Sequence, residues 1–421
     1  MEFDLAQGYL MKKKLSLRDL KLSEQKVLMR VDFNVPLNEQ GEIIDDTRIK
    51  AAIPSIQYIL DQGASLIIVS HLGRPKGKQL DLSLAPCAQR LADLLKKTVN
   101  FAPDCCGQVV QEMAAKLKPG QILMLENLRF YKEEEEPTLN PHFAKELASL
   151  ADLYVNDAFG TAHRSHSSTA VITQYFPGRA ASGFLMDQEI EFLGHAILEP
   201  KRPFYAIVGG KKVSSKLGIL RSLLGKVDGL FIGGGMAYTF MLAKGISIGN
   251  SICEPELIDS AKEIMQICFE RKIKLVLPVD VQAANQFSNE ATVRLVNLYQ
   301  GGIPDGYEGM DLGPESIRQF IDGLKGAATI LWNGPLGVAE FPRFSQGTQT
   351  IAKALAASSA VTVVGGGDSI AAIQAAGIAN QITHISTGGG ASLEFIEYGT
   401  LPGIEALSDI SEYTELACST I

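Results

Sequence analysis

The chain has 421 residues, 46% of them apolar and 20% charged, which suffices for two large cores or three small ones and excludes a disordered protein. Its 39 basic and 47 acidic side chains give a net charge of −8, which argues against nucleic acid or an anionic membrane as a general partner. Any anionic ligand must therefore be met by local basic groups.

Ten short apolar runs read as strands, in chain order: "KVLMRVD" at 26–32, "SLIIVS" at 65–70, "QILMLE" at 121–126, "DLYVND" at 152–157, "FYAIVGG" at 204–210, "GLFIGGG" at 229–235, "KLVLPVD" at 274–280, "ATILWNG" at 328–334, "VTVVGGG" at 361–367 and "THISTGG" at 383–389. Segments such as "DTRIKAAIPSIQYILDQG" and "PELIDSAKEIMQICFERK" separate them, with apolar residues three and four apart that make one helix face apolar. Near-continuous apolar strands alternating with such helices predict an α/β fold of parallel sheets covered on both faces. Strand ends carry Arg, Asn and His before residues 180–200 and glycine clusters after them, so two domains are expected. "GFLMDQEIEFLGHAILEPKRP" reads as a joining helix ended by Pro200. The acidic run "KEEEEP" at 132–137 reads as a solvated surface stretch.

In the first half, Arg30, Arg48, His71, Arg74, Arg129, His163 and Arg164 fall mostly at or just after predicted strand ends. Guanidinium groups gathered at one sheet edge repel one another unless an anion joins them, and their fork suits phosphate or carboxylate. In the second half a strand is followed by "GGKK", "GGGM", "GGGDS" or "TGGGAS" and then a helical segment. Glycines there let backbone N–H groups and helix N-termini face a phosphate. None matches the GxxxxGK[ST] or GxGxxG fingerprint. Val213, Leu217, Leu220 and Leu224 trace a buried stripe, and Lys212 and Lys216, four apart beside it, are expected to reach one place above the strand end. Asp368 is placed to hold Mg²⁺ against a polyphosphate or to cap the helix it begins, and the two roles are compatible.

No Ser–His–Asp order, HExxH or nucleophile elbow occurs. A substrate carboxylate, already ionised at neutral pH, needs no such base, and phosphoryl transfer asks mainly for positioning and positive charge. The six cysteines, Cys87, Cys105, Cys106, Cys253, Cys268 and Cys418, form no CxxC pair or zinc spacing and read as reduced thiols of a cytoplasmic protein. "MEFDLAQGYLMKKK" does not read as a secretory signal.

With "RVDFNVP", "SHLGRP", "ENLRF", "AHRSHSS", "GGGM", "LWNGPLGV", "GGGDS", "STGGGASLE" and "LPGIEAL" in this order, the chain resembles the phosphoglycerate kinase family from about residue 13 to 409. The resemblance implies two Rossmann-like domains, each a parallel sheet flanked by helices, joined by a hinge helix. Residues 1–185 would bind phosphoglycerate and 186–405 nucleotide, and 406–421 would return to the first domain. It implies reversible phosphoryl transfer from 1,3-bisphosphoglycerate to ADP, giving 3-phosphoglycerate and ATP, with Mg²⁺. Asp32, Asn34, Arg48, His71, Arg74, Arg129 and Arg164 would form the substrate site, with Arg30 close by. Arg48 and Lys212 would stabilise the phosphoryl group in flight, with amides of Gly366, Gly389 and Gly390. Lys212, Lys216, Gly234, Asn333, Glu340, Gly365, Gly366, Gly367, Asp368 and Ser369 would contact the nucleotide, Asp368 through the metal. A monomer with no nucleic-acid or membrane partner is expected. Lys211 and Ser215 depart from the family pattern, which bears on nucleotide affinity, and residues 1–11 and "ISEYTELACSTI" extend past the usual ends. Two rival readings remain: a non-catalytic nucleotide- or anion-binding protein on the same fold, and a dinucleotide-dependent oxidoreductase, against which the missing fingerprint counts.

Overall fold

The computed structural model describes residues 13–411, so the terminal extensions at 1–11 and 412–421 lie outside the described residues. The chain forms two compact units, one running to Glu189 and taking the chain back from Thr400, the other Ile190–Gly399. The sequence reading puts these boundaries at 185/186 and 405/406. The first division falls inside the helix Phe184–Leu198, and the second directly follows the helix Gly390–Tyr398.

In the first unit β1 (Lys26–Arg30), β2 (Ser65–Val69), β3 (Val99–Phe101), β4 (Ile122–Met124), β5 (Leu153–Asn156) and β6 (Ala180–Ser182) form one sheet in the order β3-β4-β2-β1-β5-β6. Every pairing is parallel. Successive strand residues face opposite sides and both faces of this sheet are covered, which is why β2 and β4, and the middle of β1, are apolar without alternation. Val27, Met29, Leu66 and Ile68 pack with Ile49, Ile56 and Ile59 of the helix Thr47–Asp61, while Leu28, Ile67 and Val69 join a second core with Phe143, Leu147 and Tyr154. The returning chain completes that second core with Leu407. It is held by Leu15 N–H to the Ser408 carbonyl at 2.8 Å, Gly403 N–H to the Ala162 carbonyl at 2.8 Å, and Lys14 to Asp409 at 2.9 Å.

The second unit has β7 (Phe204–Val208), β8 (Gly229–Ile232), β9 (Lys274–Val276), β10 (Asp280–Ala284), β11 (Val293–Asn297), β12 (Glu308–Leu312), β13 (Thr329–Asn333), β14 (Val361–Gly365) and β15 (His384–Ile385). Six of them form a parallel sheet in the order β15-β14-β13-β7-β8-β9. Phe231, Ile330, Trp332 and Val364 pack there against Phe320, Leu324, Ile351 and Leu355 of flanking helices.

All ten predicted runs contain strand, and the two domains each have the expected parallel sheet, to which the second unit adds a small sheet the sequence reading did not foresee. The strands β11-β10-β12 make a separate antiparallel sheet. "KLVLPVD" is two strands in two sheets, split around Pro278, which has no N–H to give a ladder. The sequence reading also missed β3, β6, β11 and β12: the first two are three residues long, β11 leaves Leu295 exposed, and β12 carries Glu308 and Asp311, so none presents a continuous apolar run.

Candidate active site

In the first unit the residues following β1, β2 and β4 meet at the carboxyl edge of the sheet. Arg48 lies in the first turn of the helix Thr47–Asp61, where the helix dipole disfavours a cation, and Asp32 compensates by an ion pair. Asn34 accepts the N–H of Gly73 at 2.8 Å, and Arg129 donates to the Gly73 carbonyl at 2.9 Å, so both fix the loop carrying His71 and Arg74. His71 is buried, with Nδ1 3.2 Å from Arg30 and 4.0 Å from an oxygen of Asp32. Arg74 and Arg164 are exposed and make no ion pair among the described residues.

Two buried imidazoles report the local field. His71 is held well below the usual histidine pKa by burial, then by the charges of Arg30, Arg129 and Arg48. His166 is pushed down to about 3 by burial, then by Arg30, Arg129 and Arg164. Five guanidinium groups therefore act on one neighbourhood only if Arg74 is counted through Arg129, whose own pKa is lowered first by burial and further by Arg30 and Arg74. Such a concentration of positive charge in a protein of net charge −8 suits an anion of more than one charge.

Arg30 is not one of the open cations. It is 1% exposed, donating from Nε to Ser168 Oγ at 2.9 Å and to the Val31 carbonyl, and lying 4.0 Å from Glu134. That carboxylate overturns the reading of 132–137 as a wholly solvated stretch. Glu134 is 0% exposed, accepting Ser168 N–H at 3.0 Å and Ser168 Oγ at 2.6 Å, and Glu135 pairs with Arg129 at 2.9 Å. Burial raises the Glu134 pKa, against the opposing pull of Arg30 and the Ser168 bonds. A buried arginine must have a buried counter-charge, and only the fold reveals which glutamate of the run supplies it. Asn127 was missed too: its side chain accepts Leu72 N–H at 3.2 Å and donates to the Leu72 and Leu82 carbonyls at 2.8 and 2.9 Å.

In the second unit the glycines that follow strands, those of the four devices and Gly334 after β13, are of two kinds. Those after β7, β8 and β13 pack against one another. A Cβ on Gly209 would stand 2.2 Å from the Pro335 carbonyl oxygen, one on Gly334 2.2 Å from the Gly209 oxygen, and one on Gly234 2.7 Å from the Pro335 oxygen. Their amides are engaged as well, Gly210 with Pro335 at 2.9 Å and Gly234 with Leu336 at 3.2 Å. Gly234 is thus first a packing residue. The glycines after β14 and β15 are open: Gly367 and Gly389 would present a Cβ to nothing within 4 Å, and Gly366 and Gly389 have φ of 91° and 54°. They begin the helices Gly367–Ala375 and Gly390–Tyr398, whose first N–H groups have no partner within the helix.

Lys216 Nζ donates to Asn333 Oδ1, and the Asn333 Nδ2 is buried with no hydrogen-bond partner among the described residues. Burial lowers the Lys216 pKa to about 8, against the charge of Asp368, which raises it. The two lysines are not on one helix: a 3₁₀ turn, Ser214–Lys216, precedes the helix Leu217–Leu223, and Lys212 lies before both and is exposed. Lys211 and Ser215 are exposed, and Ser215 Oγ donates to the Lys212 carbonyl at 2.9 Å. Ser369 Oγ accepts Gly334 N–H at 2.9 Å, which ties the helix start to the strand end beside it. Glu340 is exposed in the loop after β13.

Asp368 lies inside the first turn, its carboxylate exposed and without a hydrogen bond among the described residues, and Gly366 is the N-cap. The capping alternative therefore has no bond behind it. One free carboxylate beside open helix amides suits Mg²⁺, which typically takes one or two carboxylates and completes its shell with water and phosphate oxygens.

The family model described as "Phosphoglycerate kinase" matches residues 17–398. The chain is similar to the phosphoglycerate kinase of Moorella thermoacetica, 51% identical over 397 residues that cover 94% of this chain and 99% of that one. It is similar to that of Koribacter versatilis, 52% identical over 404 residues, with 94% and 99% covered. Among solved structures, phosphoglycerate kinase from Coxiella burnetii superposes with a TM-score of 0.84 at 40% identity, covering 93% of this chain and 98% of that one. That from Pyrococcus horikoshii OT3 gives 0.80 at 34% identity, covering 95% and 99%. A match of this extent, on a chain whose two sheet edges carry the expected cations and glycines, means that the chain belongs to the phosphoglycerate kinase family.

Proposed function

We propose that this chain reversibly transfers a phosphoryl group from 1,3-bisphosphoglycerate to ADP, giving 3-phosphoglycerate and ATP. The observation that carries the reading is the separation of chemistry between the units: guanidinium groups around neutral imidazoles in one, open glycine amides beside a half-buried lysine and a free carboxylate in the other. The first suits a phosphorylated carboxylic acid and the second a nucleotide polyphosphate.

In this reading Arg74, Arg129 and Arg164, with Asp32, Asn34 and His71, bind and orient the phosphoglycerate. Its carboxylate is ionised at neutral pH, so in the ATP-forming direction's reverse it attacks phosphorus without losing a proton to the protein. Arg48 and Lys212 meet the charge that spreads over the migrating phosphoryl oxygens, with the amides of Gly366 and Gly389. Lys216, steered by Asn333, contacts the nucleotide phosphates, with Gly365, Gly367 and Ser369 shaping the loop and Gly234 and Glu340 bordering the rest of the nucleotide. Asp368 holds Mg²⁺, which when bound neutralises phosphate charge.

Transfer requires the two ligands to meet, so the helix Phe184–Leu198 is the proposed hinge, and exclusion of water on closure strengthens every one of these electrostatic contacts. We further propose that the chain works as a cytoplasmic monomer. Among the described residues no helix is long and apolar enough to cross a membrane.

The test is a coupled assay of ATP- and Mg²⁺-dependent phosphorylation of 3-phosphoglycerate by the purified chain. Turnover supports the proposal. Nucleotide binding without turnover would leave the non-catalytic reading standing.

A further inference from the structure

Asp104, Cys105 and Cys106 follow β3 in the first unit, at the carboxyl edge of the same sheet, and the proposed reaction uses none of them. A carboxylate oxygen and both sulfurs lie within 4.8 Å of one another, with Cys105 buried and Cys106 partly exposed. We propose that these three side chains bind one thiophilic divalent cation of the zinc and cadmium class.

Several observations favour a cation over the alternatives for paired thiols. A disulfide between neighbours is strained, because adjacent Cα atoms lie about 3.8 Å apart whereas disulfides usually span about 4.4–6.8 Å. A metal has no such conflict: metal–sulfur bonds of about 2.3 Å at a tetrahedral centre place two sulfurs about 3.8 Å apart. The carboxylate is already fixed for the purpose. It accepts Tyr131 Oη at 2.9 and 3.0 Å and the Cys105 N–H at 2.8 Å. A second carboxylate, Glu146, stands beside the thiols and accepts Gly107 N–H at 2.8 Å. A cation already sits on Asp104: the Lys78 ammonium pairs with it and lies 5.4 Å from the Tyr131 ring centroid. The Lys78 side chain is 56% exposed, so it can leave for solvent when a metal arrives. Cys106 offers the way in, and three protein donors leave a fourth position for water.

The experiment titrates the full-length chain with Cd²⁺, reading sulfur-to-metal charge-transfer absorption and calorimetric stoichiometry together. One equivalent is expected to bind with the thiolate signal. Cys106→Ser should weaken it at least tenfold and Asp104→Asn several-fold, while Cys253→Ser leaves it unchanged. Circular dichroism, and phosphoryl-transfer activity in buffer containing Mg²⁺ but no zinc or cadmium, confirm that Cys106→Ser is folded. Absence of binding overturns the proposal. So does an unchanged titration in both Cys106→Ser and Cys105→Ser, which would put the ion on other cysteines.

Discussion

The two sheet edges solve the problem of binding an anion in opposite ways. In the first unit the work falls to side chains, and three of them are braced: Arg30 by Glu134 and Ser168, Arg48 by Asp32, Arg129 by Gly73 and Glu135. In the second unit the backbone does most of it, through amides left open at Gly367 and Gly389, with the half-buried Lys216 beside them. Concentrated guanidinium charge repels itself and so needs a buried counter-charge, whereas an open helix end carries its partial charge at no such cost. The difference predicts where each edge is fragile.

The largest effect should come from removing the brace. Glu134→Ala strips the buried Arg30 of its counter-charge, and loss of one partner of a buried pair costs about 3–5 kcal/mol. Chemical denaturation should find that loss, and a change of only a few tenths would mean that Arg30 is solvated. Next is Arg48→Ala, expected to lower kcat by about 10²–10³-fold, the scale of losing one transition-state donor, with MgADP affinity nearly intact. Steady-state kinetics with a separate nucleotide titration checks this, and near-normal turnover would remove Arg48 from the chemistry.

Within the second unit a pair of substitutions separates the two kinds of glycine. Gly209→Ala drives a Cβ into the Pro335 carbonyl oxygen and should destabilise by about 1–3 kcal/mol, as overpacking does. Gly367→Ala meets no protein atom and should leave the melting temperature within a few degrees while weakening nucleotide binding. Equal effects of the two on stability would erase the distinction. Asp368→Ala should weaken nucleotide binding in the presence of Mg²⁺ and much less in its absence, with phosphoglycerate affinity unchanged. Calorimetry with and without the metal decides.

The smallest effect is a matter of pH. Lys216 has a folded pKa of about 8, below its unfolded value of 10.5. The folded protein therefore binds fewer protons than the unfolded chain between those values, and this residue's contribution to stability rises across that window. Nucleotide affinity should run the other way in the free protein, falling above pH 8 as the ammonium is lost. Lys216→Arg should flatten that decline.

Much of this was legible in the sequence, for physical reasons. Strands buried on both faces are apolar at every position, so β1, β2, β13 and β14 stand out, and the chemistry-bearing residues follow them directly. The antiparallel sheet was hidden because β11 is half polar and Pro278 lies inside an apolar run. At the sites, the arginines of "SHLGRP" and "ENLRF" were visible, but Glu134 sits among glutamates that differ from it only in burial. Glycines are ambiguous in the same way. Gly234 and Gly367 both follow strands, and only the neighbouring chain tells whether a missing side chain makes room for protein or for a ligand.

The return of the chain to its first unit sets an order of assembly. During synthesis the segment ending at Glu189 leaves the ribosome early, yet Leu407, which belongs to one of its cores, emerges last among the parts that matter. The stretch Ile190–Gly399 is continuous and owes nothing to distant sequence for its sheet, so it can finish while its older neighbour still waits for a final piece. A chain truncated just before Thr400 and released from the ribosome should thus expose the earlier half, rather than the later one, to protease.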